Sequence, residues 1–350
     1  MFRADRASRA LRAGVATLTF TGVLAALTGC GAGGLLAPTP SYTSTFTPPA
    51  ATALAPLTGE VVPAGSLDGP SLAAKIDNHA EARPQVGLEH SDLVFEELVE
   101  GGLTRYVAVW QSDVPAEIGP IRSIRPMDPD IVSPLGGIIA YSGGQPRFVA
   151  AMHATNVVNA VHGQSDTAEV MYRTKTKKAP HNVLVRAPQL IAQHADVPAP
   201  AQQFAFADSV GSSTAAHEGT ATSVLSLRFG APSTPSWTYD AATGRYLRAQ
   251  AGGADLDTAG AQLSAANVIV IRVAVGNDGG VPKTQLLGSG EAWISSGGGT
   301  VHAAWSKASR TDPIRIVDDT GTVVRLAPGN SWIELVPQSG SVEFTAAPAP

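Results

Sequence analysis

The chain has 350 residues, of which 44% are hydrophobic and 15% charged, with a formal net charge of −5 and a single cysteine, Cys30. That length leaves room for two domains with their own cores. The lone cysteine excludes an internal disulfide or a thiolate metal cage, and the acidic balance argues against nucleic acid as a partner.

The N-terminus carries Arg3, Arg6, Arg9 and Arg12, then an apolar run from Ala13 to Leu27, then Thr28, Gly29 and Cys30. This is the order of a charged region, a hydrophobic region and small residues at a cut site. It matches a bacterial lipobox. A cut before Cys30 would leave its thiol at the new N-terminus to carry a diacylglycerol. An uncut anchor or an ordinary signal peptide would share these residues, but the apolar run is shorter than the ~20 residues of a spanning helix. The expected location is therefore extracytoplasmic, held to the membrane through lipid on Cys30. The first 29 residues hold 4 of the 24 Lys/Arg and 1 of the 29 Asp/Glu, which leaves 20 against 28, or −8, after cleavage.

Residues 30–56 are rich in Gly, Ala, Pro, Ser and Thr and read as a flexible tether. Gly29, Gly31 and Gly34 satisfy a dinucleotide-binding spacing by letter, but no strand precedes them and no helix follows.

Residues 57–196 read as an α+β ligand-binding domain. Ser71 to Asp77 is a short strand. Asp92 to Glu100 and Leu103 to Gln111 are two extended segments around Gly101 and Gly102. Gly137 to Tyr141 is a short buried strand, and Gln145 to Met152 and Ala187 to His194 are short helices. Residues 197–222 read as a linker on which Phe204 and Phe206 can dock. Residues 223–346 read as a smaller, mostly β domain, sandwich or barrel-like, with hairpins at Trp237 to Arg248 and Ile314 to Leu326, a central strand in Asn267 to Val275, and a strand through Trp332 to Val336.

Chemistry-bearing residues concentrate in the first block. Arg105, Arg122 and Arg125 are forks suited to carboxylate or phosphate, and Ser123 stands between two of them in a loop opened by Gly119 and Pro120. The competing reading pairs them internally with Glu96, Glu97, Glu100 or Asp128. Glu96 and Glu100 would share a strand face and invite a paired-carboxylate reading as in glycan cleavage; a salt-bridged strand face is the simpler account. His181, beside Asn182, is the best histidine for acid–base work or ligand binding. His153 and His162 lack a carboxylate at ligand spacing, so neither a metal site nor a cofactor is expected. Trp237, Tyr239, Trp305 and Trp332 fit core positions better than a sugar platform.

Across this block the chain resembles the YerB-like lipoprotein family, domain of unknown function 3048. The resemblance is carried by Asn78, the run Ala82 to Gln85 including Arg83, Gly87, Leu88, Asp92, Glu96, the E-G-G-x-T-R of Glu100 to Arg105 and the G-P-I-R-S-x-R of Gly119 to Arg125. It continues at Gly143, Gly144 and Pro180 to Asn182, then at Asn267 to Val270 and Trp332 with Ile333. A histidine expected between Gly252 and Asp257 is absent. The resemblance implies location and architecture and assigns no catalytic residue. The expected ligand-binding set is Arg83, Glu96, Glu100, Arg105, Arg122, Ser123, Arg125, Asp128, His181 and Asn182. The expected function is non-enzymatic binding or scaffolding of an anionic envelope component or a cell-wall assembly partner. The alternative is a hydrolase of an envelope glycan or phosphodiester, using Glu96, Glu100, Asp128 and His181.

Overall fold

The strand Thr104–Trp110 explains how the sheet is covered on both sides. Tyr106, Ala108 and Trp110 enter one apolar cluster, while Val107 and Val109 enter another. With period-two alternation, a strand apolar at every position from Tyr106 to Trp110 is buried on both faces. The computed structural model describes residues 49–347; the expected leader, Cys30 and most of the tether lie outside the described residues.

The neighbouring strands follow the sequence expectation within a residue or two: Leu72–Asp77, Leu93–Leu98 and Ile138–Tyr141. The helices Pro146–His153 and Ala187–Ala192 stand where short helices are expected, each with a proline in its first turn. Mostly strand with few short helices, the described chain is α+β at the level of class.

The strands of the second block form no closed barrel. They continue one open sheet, in the order Gly288–Ser296, Asn267–Val273, Ser331–Pro337, Leu93–Leu98, Thr104–Trp110, Leu72–Asp77, Ile138–Tyr141 and Val158–Val161. Ser331–Pro337 lies parallel to Asn267–Val273 on one side and to Leu93–Leu98 on the other. Both apolar clusters draw residues from both sequence blocks, for example Phe95 with Ile333, and Val94 with Trp332. From Ala50 onward the chain forms one compact unit in which both sequence blocks share the sheet. The segment expected as a linker holds the strand Ala205–Phe206, the helix Thr214–Glu218 and the start of Thr220–Arg228. Phe204 and Phe206 are buried.

Candidate functional site

Alternation in three strands decides which charges meet. Ala73, Phe95 and Val107 face one side of the sheet, so Lys75, Asp77, Glu97 and Arg105 share that side. Glu96 and Thr104 face the other. Asp77 and Glu97 are the cross-strand neighbours of Arg105.

Over this charged side runs the loop from Gly119 to Asp128. Along Leu72–Asp77, strand Ile138–Tyr141 pairs only with Leu72 to Ala74. Beyond that point the loop takes its place: Arg122 N–H donates to the Lys75 carbonyl at 2.7 Å, and Asp77 N–H to the Pro120 carbonyl at 2.9 Å. Ile121 N–H reaches the Val183 carbonyl at 2.7 Å, which ties in the segment carrying His181. Gly119 has φ +147°, and a Cβ there would stand 2.7 Å from the Val183 carbonyl oxygen, so only glycine permits this approach.

Between the loop and the strand ends lies a cleft of about 230 Å³, walled by Asp77, His181, Arg105, Arg122, Arg125 and Glu100, with Val99 and Leu103 as apolar lining. Arg105 is 9% exposed. Its guanidinium donates to the Ser123 carbonyl at 2.9 Å, and it makes no ion pair among the described residues. Burial, together with the nearby charges of Arg125 and Arg122, pulls its pKa down to about 10, a value that still leaves it charged at neutral pH. Arg125 is committed internally. It bonds Glu100 at 2.7 Å and the Ile124 carbonyl at 2.8 Å. Burial raises the Glu100 carboxyl, but the hydrogen bond from Arg125 and the charges of Arg125 and Arg105 outweigh it and leave the pKa lowered. Arg122 lies 3.1 Å from Asp77 as a charge contact without hydrogen-bond geometry, its side chain 21% exposed. His181 Nδ1 meets the same Asp77 carboxylate at 2.6 Å.

Beneath the cleft floor the loop is pinned by a buried trio. Asp128 accepts from Arg125 N–H at 2.7 Å and from Lys75 at 2.8 Å, and Lys75 also bonds Glu97. Burial and the Asp128 carboxylate raise the Glu97 pKa to about 8, against the pull of Lys75.

The cleft thus collects five of the expected residues: Glu100, Arg105, Arg122, Arg125 and His181. Ser123 contributes its carbonyl to Arg105 and Arg125. Asp128 is buried below, as a structural partner rather than a ligand contact. Glu96 is on the opposite face, so the Glu96–Glu100 pair does not form, which removes the glycan-cleaving arrangement. Glu96 instead accepts from Arg248 at 2.6 Å and from Thr104 at 2.6 Å. Arg248 is fully buried, also pairs with Asp255, and sits against Tyr106, Trp237 and Trp332. Trp237, Trp305 and Trp332 are core residues, as expected. Asn182 is buried and bonded to Arg173 and the Thr174 carbonyl. Arg83 stands outside the cleft, where its carbonyl accepts from Lys177.

Sequence reasoning missed Asp77, His79, Lys75 and Arg248. The signal for Lys75 and Asp77 was present: two charges two residues apart in an otherwise apolar strand. A larger depression of about 430 Å³ around Gly87, Pro115, Glu117 and Arg186 offers weaker chemistry. There Glu117 is taken by the Tyr172 hydroxyl, and Arg186 donates to the Glu169 carbonyl and stacks on Tyr172.

Known proteins share this arrangement of blocks. The N-terminal domain of the DUF3048 family, a family of unknown function, matches residues 57–198, and its C-terminal domain matches residues 225–333. YerB of Bacillus subtilis (strain 168), whose name carries the word lipoprotein, is 31% identical over 128 residues, covering 37% of this chain and 38% of its own length. The match therefore spans well under two thirds of that relative. The crystal structure of the YerB protein from Bacillus subtilis superposes with a TM-score of 0.72 at 22% identity, covering 83% of this chain and 99% of that one; the likeness is one of fold.

Proposed function

The chain belongs to the YerB-like DUF3048 family, and on that footing we propose that it is a lipid-anchored extracytoplasmic protein whose cleft captures an anionic component of the cell envelope. The single observation that carries the reading is Arg105, a nearly buried guanidinium with no ion-pair partner among the described residues, opening on a cleft shared with Arg122 and Arg125. A buried charge is expensive unless it is paired. A carboxylate or phosphate entering between these forks would pair it bidentately. The lipobox around Cys30 and the lipoprotein relative support the anchor.

The test is calorimetric titration with inorganic phosphate and with citrate, against a neutral sugar. Saturable binding of an anion, weakened about ten-fold or more by Arg105→Gln, is expected, because a charge-assisted bond contributes about 1.5–3 kcal/mol. Equal response to the sugar, or an unaffected Arg105→Gln variant, would overturn the reading.

A second reading, hydrolysis of a phosphodiester, is favoured by one observation: Asp77 holds His181 through Nδ1 in the cleft that the arginines line. An oriented imidazole beside a bound phosphate ester has the geometry of an acid–base group. Turnover of bis(p-nitrophenyl) phosphate, lost in His181→Gln, would support it.

A further inference from the structure

We propose that His181, Glu81 and His79 hold a divalent transition-metal ion, zinc by its donor set, at the mouth of the cleft. The three residues bring one ligand atom each within 4.8 Å of one another.

The argument starts at Asp77. Its carboxylate takes Nδ1 of His181 at 2.6 Å, so Nδ1 carries the proton and Nε2 turns a lone pair outward. That lone pair lies 3.5 Å from the Glu81 carboxylate. At this distance the two groups are joined either by a proton on Nε2 or by a metal cation between them. On a four-coordinate zinc with bonds of about 2.0–2.2 Å, adjacent ligand atoms stand roughly 3.3–3.6 Å apart. His181 and Glu81 are already at that spacing. A carboxylate holding the far nitrogen of a metal-binding histidine is the usual outer support of such sites, and Asp77 supplies it.

His79 is the closing ligand. Its backbone N–H is held by Asp77 at 3.1 Å, which fixes the residue beside His181. Its ring stacks on His181 with centroids 4.6 Å apart and planes 16° off parallel. Parallel rings do not aim both lone pairs at one point, so coordination requires His79 to tilt out of the stack. The tilt releases its 3.2 Å bond from the Glu81 amide. His79 is only half-buried and can make this movement. Two imidazoles and one carboxylate suit zinc rather than calcium or magnesium, and three protein ligands leave a fourth position open. His79 and His181 also line the arginine cleft. The nearby guanidiniums disfavour a bare cation, while Asp77 and Glu81 offset them. A metal-bound His181 has no free lone pair for acid–base work, so the site competes with the phosphodiester reading. It does not rest on the anion reading.

The test uses the full chain carrying Cys30→Ser, which removes the only thiol, in phosphate-free buffer, titrated with cobalt(II) and then zinc(II). One equivalent should bind and give the strong visible bands of a four-coordinate cobalt site. Glu81→Gln and His79→Ala should each weaken binding about ten-fold or more. Glu81 is 66% exposed at its side chain, so loss of the fold will not mimic the result. Asp77→Asn, checked by melting, should weaken binding about 10–100-fold through its support of His181. His302→Ala, at the separate surface cluster with Asp319 and Glu291, should leave it unchanged. Absence of stoichiometric binding, binding indifferent to Glu81→Gln and His79→Ala, or loss only in His302→Ala would overturn the proposal. Anion titrations with EDTA present read the arginine cleft separately, so either idea can fail alone.

Discussion

Glu334 lies directly beside Glu96, in register across two parallel strands, and both side chains are buried. One belongs to the C-terminal block and the other to the N-terminal block. Between them Arg248 bonds Glu96, and Trp237 donates to Glu334 at 2.7 Å. Burial and the neighbouring Glu96 raise the Glu334 pKa well above the usual carboxylate range. The joint between the two blocks is therefore two buried carboxylates side by side, with Arg248 bonded to Glu96 and Glu334 disposed to keep its proton.

Because that joint is in the middle of the sheet, the described region should unfold as one unit. A single thermal transition is expected, with one protease-resistant core spanning residues 197–222. Two separate transitions, or two stable fragments cut within that segment, would refute it.

Arg248→Ala should destabilise the protein by about 3–5 kcal/mol, since it leaves Glu96 and Asp255 buried without their cation. Urea denaturation measures it. A change below about 1 kcal/mol would mean that water or protons relieve the site.

Glu97 sets a pH dependence. Its folded pKa of about 8 lies above the ordinary 4.5, so the fold holds a proton there that the unfolded chain releases. Its contribution is full below about pH 4.5 and is lost as pH rises through 8. Melting temperature should fall between pH 5 and 8 more steeply in the native chain than in Glu97→Gln. Parallel curves would assign the dependence to other groups.

The loop arginines should separate by role. Arg122→Ala keeps Asp77 paired with His181 and should weaken anion binding about ten-fold or more with little change in melting. Arg125→Ala strips the Ile124 carbonyl and Glu100 of their partner and should destabilise by about 1–3 kcal/mol. Equal melting losses in both variants would make the loop purely architectural.

Cys30 lies outside the described residues. Cys30→Ala should abolish labelling by a fatty-acid probe, because no other residue of the chain offers a thiol. Label retained in that variant would contradict the anchor.

Local structure was legible in the sequence because it depends on short-range pattern. Ser71 to Asp77, Asp92 to Glu100 and Leu103 to Gln111 read as strands, and Arg105 with the polar loop Arg122 to Asp128 marked the cleft and the loop above it. What pattern cannot contain is partnership. Glu96 and Glu97 are adjacent letters, yet alternation sends one to Arg248 and the other to Lys75 on the far side of the sheet. Asp77 becomes a site residue only when the loop from Gly119 and the segment with His181 close on the strand end. The insertion of Ser331–Pro337 beside Leu93–Leu98 joined two apparent domains into one sheet. By itself the sequence determined the elements, the lipobox and the charge-rich loop, since propensity and periodicity act within a few residues. Only the tertiary structure decided which buried charges are paired and which guanidinium is left to face the cleft, because pairing is set by contacts between strands far apart in the chain.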